Sequence, residues 1–159
     1  MTALSYDDIL LYPQQGVVSS RKDVDISASL NGWQFRMPIM SSPMETVTDA
    51  RFAARMHALG VLGVVHRFGN PDERDIAYDY DPLAIALGGV ELYGLNSVAD
   101  HVDIVVLDVA HSDTKVMLKG VEDFKRRYPD KFLIVGSIAT YNAARRAINA
   151  GADALLAAL

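Results

Sequence analysis

Six short apolar runs constrain this chain more than any other feature. They cover residues 38–42, 61–66, 83–87, 104–108, 132–135 and 154–159. The runs are continuous rather than alternating, which is the pattern of strands covered on both faces of a parallel sheet. Between them lie stretches with helical spacing. Val47, Ala50, Ala54 and Ala58 share one face of a helix over 46–59, with Gly60 behind it. Asn70 precedes a short helix over 71–78, and 90–101 reads as another. Ser112 or Asp113 caps a helix reaching Tyr128, and 141–150 is helical with Gly151 closing it.

Strand–helix alternation makes the class α/β. A doubly wound sheet holding a dinucleotide predicts Gly-x-Gly-x-x-Gly after a strand, and no such run exists. The expectation is therefore a parallel (β/α)8 TIM-type barrel, incomplete, with about six of its eight strands present. It forms a single partial barrel domain over 1–159, since no linker divides the chain. Its last strand leaves an unpaired apolar edge, which favours homo-oligomers or association through that edge. The first 35 residues read as loop with short extended pieces, Val24, Ile26 and Ala28 alternating as a half-buried strand.

Composition removes several function classes. A net charge of −5 lacks the basic surface that nucleic acid demands. With no cysteine there is neither a disulfide framework nor a Cys-based zinc site. The N-terminus carries Asp7 and Asp8 and does not read as a signal peptide. No apolar run approaches the roughly 20 residues of a membrane span. A cytoplasmic protein with no membrane partner is expected.

In such a barrel the site lies at the C-terminal ends of the strands. Those ends carry Ser41, Ser42, Met44 and Thr46; His66 and Arg67; Asp108, Val109, Ala110 and His111; and Gly136, Ser137 and Thr140. The serines and Thr46 could equally cap helices, and His66 could be a satisfied half-buried histidine. Met44 could be packing, and Lys125, Arg126 and Arg127 a solvated helix end. Asp108, closing an Ile-Val-Val-Leu run, either caps a helix or loop or accepts hydrogen bonds from a ligand hydroxyl, the latter favoured by its place at the strand end. The residues alone give a polar site for a hydroxyl-rich anionic ligand.

Four segments go further. Leu4 to Pro13 with Ser20 to Asp25, Pro38 to Thr48 (Pro-Ile-Met-Ser-Ser-Pro-Met-Glu-Thr-Val-Thr), Val105 to His111 (Val-Val-Leu-Asp-Val-Ala-His) and Val135 to Thr140 (Val-Gly-Ser-Ile-Ala-Thr) occur in this order. Together they resemble the N-terminal part of the catalytic barrel of the IMP dehydrogenase and GMP reductase family. The resemblance implies a purine nucleoside monophosphate as partner, with Ser42, Met44 and Ser137 lining its site. It implies NAD, or alternatively NADP, with Asp108 facing the cofactor ribose, Val109 and Ala110 beside it, and His66 and Arg67 near the bound ligands. His111-Ser112 stands where dehydrogenases show His-Gly and reductases Asn-Gly. Glu45 replaces an aspartate of the family motif, and Ser137 an asparagine.

In that family a cysteine after the sixth strand attacks C2 of the purine. The dehydrogenase passes hydride to NAD and hydrolyses the adduct, taking IMP to XMP. The reductase takes GMP to IMP with NADPH and releases ammonia. The cysteine loop, the later phosphate contacts and the monovalent cation site fall outside these residues, so no catalytic residue is expected here. The segment 67–82 leaves no room for inserted regulatory modules, which favours a reductase or a compact dehydrogenase. Ser-Pro-Met-Glu-Thr-Val-Thr and Ala-His resemble the dehydrogenases and Asp-Val-Ala the reductases; the balance is a dehydrogenase portion, inactive alone and completed by a complementary C-terminal chain. A GMP reductase, a non-catalytic nucleotide-binding or regulatory fragment, and a poorly folding gene remnant stand as alternatives.

Overall fold

The computed structural model describes residues 6–68, 80–89 and 101–157. Helices expected over 71–78 and 90–101 lie outside them. Two single-turn helices, Tyr6–Asp8 and Arg21–Asp23, punctuate an exposed N-terminal segment. A hairpin follows, β1 (Ala28–Leu30) antiparallel to β2 (Trp33–Phe35). Its two-residue loop has positive φ at Asn31 (48°) and Gly32 (94°), the requirement that makes Asn-Gly a hairpin signal. The expected strand through Val24 and Ile26 does not form; both side chains are exposed and pairing begins at Ala28.

The centre is a parallel sheet of β3 (Val64–Val65), β4 (Ala84–Leu87), β5 (Ile104–Asp108), β6 (Phe132–Ile138) and β7 (Ala154–Ala157), in that spatial order. Strand order never reverses, so this is not a doubly wound sheet with a switch point. The expected first strand is reduced to one bridge, Met40 with Leu62. Ser41 N donates to Leu62 O at 3.0 Å and Leu62 N to Ile39 O at 3.1 Å. Pro38 and Pro43 bracket that bridge, and neither has an N–H to extend the ladder. The fifth expected strand is longer than 132–135, because Gly136 and Ser137 lie within β6.

Three helices, α1 (Ala50–Ala58), α2 (Lys115–Arg127) and α3 (Tyr141–Ala150), join one core cluster on one sheet face. Their small residues Ala50, Ala53, Ala143 and Ala147 meet Val65, Val105, Leu107, Leu133 and Val135. The other face is a second cluster in which Val64, Ala84, Ile104, Val106 and Ile134 pack with Phe35, Leu30 and Trp33 of the hairpin. Ile104, Leu107 and Leu133 are fully buried, each contributing roughly 1.5–3 kcal/mol. Trp33 Nε1 also donates to Asp81 Oδ1 at 3.0 Å, fixing the hairpin to the segment before β4.

Two neighbouring strand pairs, β4 with β5 and β6 with β7, are latched alike at their starts. Asp103 Oδ2 accepts from Leu83 N at 2.8 Å, and Asp153 Oδ2 from Leu133 N at 2.8 Å. Lys125 is no solvated helix end: its Nζ reaches Asp153 Oδ2 at 2.9 Å and the carbonyls of Pro129 and Lys131. Helix α1 begins later than 46, because Asp49 is its cap, accepting from Phe52 N at 2.6 Å. Thr114 caps α2 in place of Ser112 or Asp113, and Thr140 caps α3, whose C-terminal Gly151 is left-handed (φ 111°).

Candidate functional site

At the C-terminal edge of the sheet the structure assembles two stitched groups of side chains. The first joins the 41–48 loop to the end of β3. Ser41 is buried, and its hydroxyl accepts from Val64 N at 3.0 Å. Thr48, wholly buried, donates from Oγ1 to Ser42 O at 2.7 Å, while its own carbonyl accepts from His66 N at 3.2 Å. Val47 N and Thr48 N both donate to Met44 O at 2.9 Å, so the loop is a closed turn. Ser42 and Met44 are held exposed on it, Met44 at 52%.

Gly63 lets α1 approach this group. A Cβ there would stand 2.6 Å from Ala53 Cα and 2.7 Å from Ala53 O. His66 is buried beside Phe68, their rings 6.4 Å apart and nearly parallel. Its Nδ1 has no hydrogen-bond partner among the described residues. Such an atom costs about 1–3 kcal/mol unless something outside the described residues meets it. The Arg67 guanidinium lies 4.2 Å from the centre of the Phe68 ring.

The second group joins the ends of β5 and β6. Asp108 is in register with Gly136, half-buried at its strand end. Val109 N donates to Gly136 O at 3.1 Å and Ser137 N to Val109 O at 2.7 Å. Ser112, almost wholly buried, donates from Oγ to Ser137 O at 2.9 Å. A Cβ on Gly136 would meet Leu156 Cβ at 2.6 Å, so β6 and β7 touch here. Val109 is half-buried, whereas Ala110 and His111 are exposed beyond it.

The 109–114 loop has a second anchor. Arg146 on α3 grips the Asp113 carboxylate twice, Nε to Oδ1 at 2.7 Å and Nη2 to Oδ2 at 2.6 Å. That hydrogen-bonded guanidinium lowers the Asp113 pKa below its ordinary value and raises that of Arg146. No local pattern marks Thr48 or Arg146 for these roles. Thr48 sits in a helix-like run, and Arg146 acts on a partner distant in sequence.

Every expected site residue within the described structure therefore stands at one edge. Ser42, Met44, His66 and Arg67 belong to the first group, and Asp108, Val109, Ala110 and Ser137 to the second. No group of three or more metal-ligating side chains occurs among the described residues. No helix among them is long and apolar enough to cross a membrane.

Comparison with known proteins adds an independent line. A family model described as the IMP dehydrogenase / GMP reductase domain matches residues 3–77 and 92–157. GMP reductase from Bacillus subtilis (strain 168) is 29% identical over 158 residues, which cover 94% of this chain and 48% of that protein. GMP reductase from Exiguobacterium sp. (strain ATCC BAA-1283 / AT1b) is 31% identical over 160 residues, with the same coverage of 94% and 48%. The crystal structure of inosine 5′-monophosphate dehydrogenase from Legionella pneumophila superposes with a TM-score of 0.81 at 26% identity, over 97% of this chain and 50% of that one. The chain spans about half the length of the curated relatives it matches.

Proposed function

Because the chain belongs to the IMP dehydrogenase / GMP reductase family, we propose that it is the nucleotide-facing half of a purine nucleotide oxidoreductase. In this reading the parallel sheet is an arc of an incomplete (β/α)8 barrel, a single partial catalytic domain over 1–159 without inserted regulatory modules. A purine nucleoside monophosphate lies across the strand ends against Ser42, Met44 and Ser137. NAD or NADP lies beside it, with Asp108 accepting from ribose hydroxyls, Val109 and Ala110 along its edge, and His66 and Arg67 at the second strand end. The observation that carries the reading is the gathering of these residues at one sheet edge by two separate hydrogen-bonded groups.

The residues present suit a dinucleotide. Asp108 is a half-buried carboxylate able to accept from ligand hydroxyls. A bound nicotinamide supplies the hydride chemistry. The chain's own part is to bind and orient. The Ser42 loop is braced by Thr48, and Asp108 is kept in register with Gly136. With no cysteine in 159 residues, the thiol that attacks C2 comes from outside them, on the same polypeptide or on a second one. Such a segment would dock along β7 and the Met40 segment.

The reaction assigned is IMP to XMP with NAD, on the Ala-His and Ser-Pro-Met-Glu motifs. A second reading, GMP to IMP with NADPH, is favoured by the GMP reductases among the similar proteins. Calorimetric titration of the chain with IMP, GMP, NAD and NADPH tests the half-site. IMP or GMP should bind, and S42A should weaken that binding. Absence of any nucleotide binding at millimolar concentration would overturn it. Pairing the chain with a C-terminal half carrying the cysteine should restore NAD reduction with IMP, or NADPH oxidation with GMP, which separates the two reactions.

A further inference from the structure

A cavity of about 350 Å3 lies between the 45–49 loop and the outward face of α1, lined by Arg51, Phe52 and Arg55 with Glu45, Thr46 and Asp49. The geometry points to a second binding site here, for a nucleotide whose phosphates meet Arg51 and Arg55 and whose base lies on Phe52. The site is distinct from the strand-end residues assigned above and goes beyond that reading.

Electrostatics is the first argument. Arg51 sits in the first turn of α1, where the aligned peptide dipoles present positive charge and a cation is disfavoured. Arg55 stands one turn further along, at the spacing where like charges repel. Neither guanidinium has an ion-pair partner among the described residues. The Asp49 carboxylate, the nearest acid in sequence, keeps its charge but turns Oδ1 to Phe52 N at 2.6 Å and forms no ion pair with either arginine. Glu45 lines the same cavity without pairing to either arginine. The chain thus holds two cations where its own helix opposes one of them. A bound anion reverses the sign of both unfavourable contacts.

Shape and chemistry narrow the anion. Guanidinium groups match phosphate oxygens in a planar, forked arrangement. Phe52 stands between the two arginines in sequence and is 41% exposed, a large apolar ring left in contact with water at the cavity wall. A ligand with both phosphate and a flat aromatic ring satisfies all three side chains, and the volume falls in the range of small-molecule sites. The cavity wall is the loop that follows Met44, so occupancy would also brace the turn that presents Ser42 and Met44.

Calorimetry on the full 159-residue chain with ATP, pyrophosphate and adenosine tests the assignment. ATP should bind best, pyrophosphate less well and adenosine least. R51Q/R55Q should weaken ATP and pyrophosphate about tenfold or more, and R51K/R55K should retain part of the binding. F52A should weaken ATP while leaving pyrophosphate unchanged, and E45Q should tighten both by removing a nearby negative charge. Far-UV circular dichroism establishes that each variant is folded. The proposal falls if neither ATP nor pyrophosphate binds at millimolar concentration, or if R51Q/R55Q binds as the parent does. It also falls if S42A abolishes ATP binding, since the phosphates would then be reading the strand ends. IMP titrated into R51Q/R55Q keeps the two sites apart: unchanged IMP affinity beside lost ATP affinity supports separate sites. Lost ATP affinity with no IMP binding in any variant refutes only the strand-end assignment.

Discussion

Replacing Gly63 by alanine inserts one methyl group where α1 lies on the sheet. The added Cβ would stand 2.6 Å from Ala53 Cα, 2.7 Å from Ala53 O and 2.9 Å from Ala53 Cβ. Two of those three atoms are helix backbone, so no side-chain rotation relieves the contact and α1 must move as a body. Overpacking of this kind costs about 1–3 kcal/mol, and a contact against backbone belongs at the upper end. For a domain of this size that lowers the thermal midpoint by roughly 6–12 °C. Urea titration followed by far-UV circular dichroism should show a lower midpoint with an unchanged slope. G16A is the internal control, since nothing lies within 4 Å of a Cβ there, and it should stay within about 0.5 kcal/mol of the parent. A G63A midpoint equal to that of G16A would refute the close helix–strand contact.

Other outcomes follow from the same contacts. S41A strips the partner from the buried Val64 N, which should cost about 1–3 kcal/mol in urea unfolding. T140A removes the α3 cap and should cost about 0.5–2 kcal/mol by the same measurement. Asp113 has a lowered pKa in the folded chain because Arg146 bonds to its carboxylate. The stability it contributes is therefore full above the ordinary carboxylate pKa and is lost as pH falls through the depressed value. Stability measured against pH should show that acid-side loss in the parent, and a shallower one in D113N. D108N should weaken dinucleotide binding about tenfold in calorimetry while leaving the thermal midpoint close to the parent. Equal affinity would remove Asp108 from the cofactor site.

Much of the sheet was legible because burial on both faces writes itself as unbroken Val, Ile and Leu. Ile104 to Leu107 and Phe132 to Val135 are cases where pattern and structure coincide. Gly151 bounded α3 for a local reason, its left-handed C-cap, whereas the Thr140 cap at the other end reads locally as a strand-end residue. The hairpin was also written in the chain, as Asn31-Gly32 between apolar residues, but it was obscured by the polar stretch before it. The α1 start was harder. Val47 and Thr48 carry a helical spacing, yet their N–H groups are taken by Met44 O and the Thr48 hydroxyl by Ser42 O. Only Asp49 is left to begin the helix. The strand-end polar residues could be picked out one by one, since each closes an apolar run. Their grouping could not, because it depends on Thr48 reaching Ser42 and His66, and on Ser112 reaching Ser137. No local pattern specifies those contacts.

The carboxylate latches at Asp103 and Asp153 lie at the opposite rim from every residue assigned to ligand. Each ties the start of one strand to the backbone of a strand 20 residues earlier in the chain. Alignment of these strands is thereby fixed at the rim away from the residues assigned to ligand. Residues such as Glu45 and Ser137 could then diverge from relatives without the strands slipping past one another. A scaffold that anchors its geometry on one side leaves the other side free to change what it recognises.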